Sequence, residues 1–256
     1  MLRYTPLHLI FLLAFPGILN FSFSVKQPNA DFHYSAFSDS SGSVIEKHEK
    51  ASSEEDIYSQ LKLDKKGLSK NAFELALKGY HSLLDKRMIR NKNIISIADF
   101  SKSSNEKRFF VIDLKRIKLL FQTLVAHGRN SGLEYATSFS NEDDSHKSSL
   151  GFYVTMNTYT GDCGYALKLK GCEKGINDHA YDRAIVVHGS QYVTDEFLRN
   201  HGFLGRSWGC PALPDKISKK VIDVIRNGSC FFIYHPTEKY LTTSPVLKDK
   251  QQQNGT

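Results

Sequence analysis

The sequence predicts a mainly-β (α+β) domain with a few peripheral helices. Three observations carry this expectation. Short runs of β-branched and aromatic residues, separated by turn residues, recur between Asn93 and Tyr234. Helical spacing of apolar residues is confined to three short stretches with caps. The 256 residues are 40% hydrophobic, 24% charged and 12% aromatic, which excludes a polytopic membrane protein, a collagen-like chain and a wholly disordered one.

The chain opens on Arg3 and an apolar run over residues 7–19, interrupted by His8 and Pro16. Ser22 and Ser24 then stand two apart, as signal-peptide cleavage requires. The run is too short to span a bilayer comfortably as an uncleaved helix, so residues 1–24 read as a signal peptide; a retained anchor is the alternative. No cysteine lies near the cleavage point, so a bacterial lipoprotein is not indicated. The chain is expected to be exported to the periplasm or cell envelope.

Residues 25–66 are polar and aperiodic and read as a flexible linker. Ser69 or Asn71 can cap a helix whose Phe73, Leu77, Tyr80 and Leu84 recur at helical spacing. Residues 67–106 are therefore expected to form a short helical extension before a main domain at 107–240. Strands are expected at 94–98, 108–114 and 119–125, then a polar loop at 141–149. Further strands follow at 152–156, 165–169 and 183–187. Thr194 can cap a short helix that Gly202 ends. Another helix follows Pro214, with Ile217, Val221, Val224 and Ile225 on its apolar face, and residues 230–234 close the domain. Residues 241–256 read as a polar tail.

The net charge is +7. It suits an acidic partner, whether nucleic acid, anionic lipid or anionic glycan, without selecting one. No basic-aromatic motif or basic amphipathic helix supports nucleic-acid or membrane-surface binding. The four cysteines are too few for a disulfide scaffold in a chain of this length.

His188 ends an apolar strand and is followed by Gly189; Cys210 comes 22 residues later, within Gly205-Arg206-Ser207-Trp208-Gly209-Cys210-Pro211. A cysteine between glycine and proline sits on a constrained turn that can expose its sulfur. The amides of Gly209 and Cys210 could hold a developing oxyanion, and a strand-end histidine could hold the thiol as thiolate. Spacing alone is a weak signal.

The two segments together, Ala184-Ile185-Val186-Val187-His188-Gly189 and Gly205 to Pro211, resemble the L,D-transpeptidase (YkuD-like) catalytic domain, in particular the murein L,D-transpeptidase catalytic domain family. The likeness extends upstream through Val125-Ala126-His127-Gly128 and Ser148 to Thr155. It implies a β-sandwich or barrel-like catalytic domain at 107–240, with Cys210 as nucleophile, His188 as base and Gly189 orienting the imidazole through its carbonyl. It places Arg206, Ser207, Trp208, Tyr153 and His146 at the substrate groove. The implied substrates are peptidoglycan stem peptides. The bond before the terminal D-alanine is cleaved, and an amine or water resolves the thioester. No cofactor, metal, nucleic acid or stable protein partner is implied, and a monomer is expected. The sequence departs from the broad family in having Trp208 where histidine is frequent, and Pro211-Ala212-Leu213 where a polar residue often follows the cysteine. The alternative is a wall-binding protein that keeps the fold without turnover.

Cys163 and Cys172, nine residues apart, could form a disulfide in an oxidising compartment if a hairpin or bulge joins them. A zinc site from Cys163, Cys172, His179 and His188 lacks any short ligand spacing. Cys230, in an apolar run, reads as core. His188 and Cys210 are expected to converge on one cleft, within about 4 Å.

Overall fold

In the computed structural model, which describes residues 57–248, Ser69 is the cap. Its hydroxyl accepts from Ala72 N at 3.1 Å and opens helix α1 (Lys70–Asp85). Phe73, Leu77, Tyr80 and Leu83 are buried along one face, in the main core. The expected signal peptide lies outside the described residues. The last ten residues assigned to the linker do not run free: Leu63 is fully buried, and Tyr58 meets the Phe73 ring at 5.4 Å. Their apolar side chains find a surface on α1 that no local periodicity announces.

Eight strands follow: β1 (Ile94–Asp99), β2 (Phe109–Asp113), β3 (Lys118–Thr123), β4 (Gly151–Gly161), β5 (Gly164–Gly171), β6 (Val186–Ser190), β7 (Ala212–Pro214) and β8 (Cys230–Tyr234). They form one sheet in the order β3-β2-β1-β8-β4-β5-β6-β7. Its two edges meet. The chain leaving β3 crosses to β7, where Ala126 N donates to Ala212 O (2.9 Å) and Ala212 N to Ala126 O (3.3 Å). The result is a nearly closed barrel, which leaves little free strand edge. β3 ends at Thr123 rather than running to Val125, because the next residues serve this crossing.

β8 is the last strand in sequence but sits centrally, parallel to β1 and antiparallel to β4. All five of its residues are buried, which explains the unbroken apolar run Cys230-Phe231-Phe232-Ile233-Tyr234. β1, which the sequence reading placed in an extension, lies between β2 and β8 in this same sheet. Residues 57–248 fall within one compact unit.

Helix α2 (Asp195–His201) is capped by Thr194, whose hydroxyl accepts from Phe197 N at 3.1 Å, and ends at Gly202 with φ +80°. Helix α3 (Asp215–Ile225) follows Pro214 and buries Val221, Ile222 and Ile225; Ile217 and Val224 are half-buried. α4 (Glu238–Thr243) and α5 (Pro245–Lys248) occupy the start of the expected polar tail, with Tyr240, Val246 and Leu247 buried.

The disulfide between Cys163 and Cys172 is not formed; both are free. Cys163 lies in the turn joining β4 to β5, while Cys172 follows the far end of β5. A strand of eight residues holds them about 25 Å apart at roughly 3.3 Å per residue. Cys230 is buried in β8, as expected for core.

Candidate active site

β6 presents His188 and α2 carries the chain out and back, so that the Gly205–Pro211 loop returns beside the same strand. The parallel register aligns His188 with Ala212 and Gly189 with Leu213. Cys210, two residues before Ala212, reaches the beginning of β6: its Sγ accepts from Val186 N at 3.4 Å and lies 3.8 Å from Ala184 O. Cys210 Sγ therefore lies level with Val186, two residues along β6 from His188. The expected imidazole–sulfur contact is not among the hydrogen bonds of this structure, where Val186 and Ala184 engage the sulfur instead.

The His188 ring is fixed by Nδ1, 2.8 Å from Gly189 O. A carbonyl can only accept, so Nδ1 carries the proton and Nε2 keeps its lone pair. Burial lowers the His188 pKa below its ordinary value, opposed by the Gly189 carbonyl. Burial pushes the Cys210 thiol up to about 11, opposed by the Val186 amide. Both shifts favour the uncharged forms, a thiol and an imidazole, over a thiolate–imidazolium pair. A Cβ on Gly189 would lie 2.5 Å from Ser218 Oγ and 2.6 Å from Asp215 Oδ1, so glycine is what lets β6 pack on α3.

The motif loop is held from beneath. Ser207 N donates to His127 O (3.0 Å) and Arg129 N to Ser207 O (2.7 Å). Ser207 Oγ donates to Cys210 O (2.6 Å) and accepts from Gly209 N (3.1 Å). Two sequence expectations are corrected here. Ser207 is a buried brace rather than a substrate contact, and the Gly209 amide is already engaged and so is no oxyanion donor. Gly209 has φ +124°, and an added Cβ would lie 2.8 Å from Lys147 O, so only glycine fits.

Arg183 locks the 140–149 loop under this turn. Its Nη1 donates to Ser140 O and Ser149 Oγ (2.9 and 2.7 Å), its Nη2 to Ser145 Oγ and Lys147 O (3.0 and 2.9 Å). This explains why β6 starts at Val186 and not at Arg183. Sequence reading missed this role, since nothing local distinguishes Arg183 from a solvated arginine.

Behind the loop, Arg108 is fully buried and gives Nε and Nη2 to Val125 O, Nη1 to Lys102 O and Nη2 to His127 Nδ1 at 2.8 Å. Burial lowers Arg108 to about 9. Burial, then the Arg108 charge, pushes His127 down to about 3. A neutral His127 accepts at Nδ1 and turns Nε2 toward Gly132 O at 3.4 Å.

The remaining expected groove residues divide. Trp208 is 68% exposed and stacks on His146, centroids 5.0 Å apart at 23°, at the mouth of the site. Arg206 lies across the Phe203 ring at 5.2 Å and gives Nη1 to Gly132 O at 3.2 Å. With Arg129, Tyr192 and Phe203, Trp208 and Arg206 line a cavity of about 680 Å³ that neither His188 nor Cys210 lines. Tyr153 does not belong to the groove. It is wholly buried, its hydroxyl donates to Ser149 O at 2.8 Å, and it packs edge-on against Phe231 in the core.

A smaller cavity of about 220 Å³ is lined by Tyr159, Lys168, Tyr181, Ala184, Ile185 and Val186, and Ala184 and Val186 are the residues whose backbone meets Cys210 Sγ. A third cavity, between the 137–142 loop and α4, holds neither His188 nor Cys210. Among the described residues, no three His, Cys, Asp or Glu side chains form a cluster able to hold a metal ion, and no helix is long and apolar enough to cross a membrane.

A family profile for L,D-transpeptidase catalytic domains matches residues 64–234, and the chain belongs to that family. The match covers β1 to β8 and both His188 and Cys210. A search of curated protein sequences gave no match. Similar solved structures include an L,D-transpeptidase from Mycobacterium smegmatis, at 12% identity and TM-score 0.35, covering 56% of this chain and 59% of that one. L,D-transpeptidase 1 from Mycobacterium tuberculosis shows 13% identity and TM-score 0.32, covering 56% and 62%. An L,D-transpeptidase from Stackebrandtia nassauensis shows 15% identity and TM-score 0.35, covering 65% and 67%. The chain thus spans about three-fifths of the length of the first two. The family assignment rests on the profile, since likenesses this distant carry no argument of their own.

Proposed function

We propose that the chain is an exported cysteine transacylase acting on peptidoglycan stem peptides, with Cys210 as nucleophile and His188 as general base. The observation that carries this reading is the state of His188. Nδ1 is anchored on Gly189 O and Nε2 is left as a free base, on the same strand whose Val186 amide meets the half-buried Cys210 thiol. Family membership supplies the reaction class.

In the first step Nε2 takes the thiol proton as Sγ attacks the carbonyl carbon of the third stem residue. The oxyanion that forms is met by the Cys210 amide, which leans toward its own sulfur and is not engaged like that of Gly209. The imidazolium returns its proton to the departing nitrogen, the C–N bond breaks and D-alanine leaves a thioester on Cys210. An amine of a second stem, or water, then attacks the thioester carbonyl and gives a proton to Nε2; the C–S bond breaks, the acyl group leaves on the new nitrogen or oxygen, and the imidazolium returns the proton to Sγ. Trp208 and Arg206 floor one flank of the groove, and the positive charge balance suits an anionic wall polymer.

The test is incubation of the protein with purified disaccharide-tetrapeptide and product analysis by mass spectrometry. Cross-linked dimer or tripeptide, each with free D-alanine, is expected from wild type, and neither from Cys210→Ser or His188→Ala. Unchanged tetrapeptide with the wild-type protein overturns the reading in favour of a wall-binding protein.

A further inference from the structure

The face of the sheet that carries His188 carries a second group suited to the same substrate. β5 and β6 pair antiparallel, with Ala166 opposite His188 and Lys168 opposite Val186. Side chains two apart along a strand share a face, so Lys168, Ala166, Val186 and His188 project on one side. Lys168 and His188 are diagonal cross-strand neighbours, about 7–8 Å apart at the backbone. Ala166 and Val186, both buried, complete the four-residue patch on this face. Tyr159, opposite Ala166 on β4, joins the same row.

Lys168 Nζ lies 5.4 Å from the centroids of both the Tyr159 and Tyr181 rings. The two rings hold the ammonium at the cavity of about 220 Å³ whose far wall is Ala184, Ile185 and Val186. Among the described residues it has no carboxylate partner within ion-pair distance. The same wall supplies the two backbone groups in contact with Cys210 Sγ, Val186 N and Ala184 O. One unneutralised cation, two aromatic walls and an aliphatic floor suit a carboxylate bearing a small apolar substituent. The volume is small for a phosphorylated sugar.

We propose that this cavity is the subsite for the terminal D-alanine of the donor stem, and that Lys168 binds its carboxylate. The proposal rests on the reading of the protein as a peptidoglycan transacylase. In such a donor the carboxylate carbon is three bonds from the scissile carbonyl carbon, so an anchor one diagonal step from His188 is in range. Lys168 would then select stems that end directly after the scissile bond. It would supply the polar contact absent at Pro211-Ala212-Leu213. Its role is recognition, and no proton passes through it.

The test uses the full chain with Cys210→Ala, so that binding is read without turnover, and three tetrapeptides measured by calorimetry. These are one with lysine at the third position and a free terminal carboxylate, the same peptide as its terminal amide, and a diaminopimelate counterpart. The free acid is expected to bind at least tenfold more tightly than the amide. Lys168→Gln should abolish that ratio and Lys168→Arg restore most of it, which a merely structural lysine would not do. Equal affinity for acid and amide, a ratio that survives Lys168→Gln, or binding that follows the diaminopimelate side-chain carboxylate would each overturn the assignment. If the ratio holds but Cys210-intact protein releases no D-alanine, the subsite stands and the transacylase reading falls.

Discussion

Alkylation of Cys210 across pH distinguishes a neutral resting pair from a preformed thiolate–imidazolium pair. Burial raises the thiol from 9.0 to about 11, with only the Val186 amide and a few weaker contacts opposing it. Two pKa units correspond to about a hundredfold less thiolate, or about 2.7 kcal/mol. At pH 7.5 roughly one molecule in 3,000 then carries the thiolate, against about 3% for an unperturbed group. Iodoacetamide reacts with the thiolate, so its rate on Cys210 should climb nearly tenfold per pH unit from 7 to 10 without a plateau. Peptide mapping by mass spectrometry separates Cys210 from the exposed Cys163. His188→Ala should leave this alkylation within about twofold, because the neutral imidazole does not hold a thiolate in the resting protein. The same variant should lose acylation by tetrapeptide, where the proton must move as the bond forms. A rate plateau below pH 8 that His188→Ala removes would refute this reasoning and establish an ion pair.

Two further outcomes concern the supports of the site. His127 has its folded pKa near 3, below its ordinary 6.5, so it contributes stability above pH 6.5 that is lost as pH falls toward 3. The advantage of wild type over His127→Gln in urea unfolding should shrink by about 2–3 kcal/mol between pH 6.5 and 4.5; a constant difference would mean that His127 is not buried neutral against Arg108. Arg183→Met removes four hydrogen bonds to the 140–149 loop and should cost at least about 3 kcal/mol in thermal unfolding, with faster proteolytic cleavage of that loop. An unchanged melting temperature and cleavage pattern would show that the loop holds itself.

What local chemistry specifies was legible in the sequence. Ser69 and Thr194 cap their helices because a hydroxyl before an apolar-periodic run satisfies free amides, and Gly202 ends α2 because only glycine takes that left-handed φ at no cost. The strand runs, Cys230 as core and the His188–Gly189 and Gly209–Cys210 pairs were equally visible, since each depends on residue type and near neighbours. Tertiary contacts decided the rest. Tyr153 reads the same whether it lines a groove or fills the barrel, and its pairing in β4 against β8 put it inside. Ser207 and Gly209 became braces because their bonding groups turn toward one another across a tight loop. The spacing of Cys163 and Cys172 suggested a bridge, but the intervening residues form one extended strand whose length keeps them apart. Arg108, Arg183 and Lys168 look alike in the sequence. One is buried, one ties down a loop and one stands between two tyrosines, because a long cationic side chain is assigned its role by whichever acceptors or rings the fold brings within its reach.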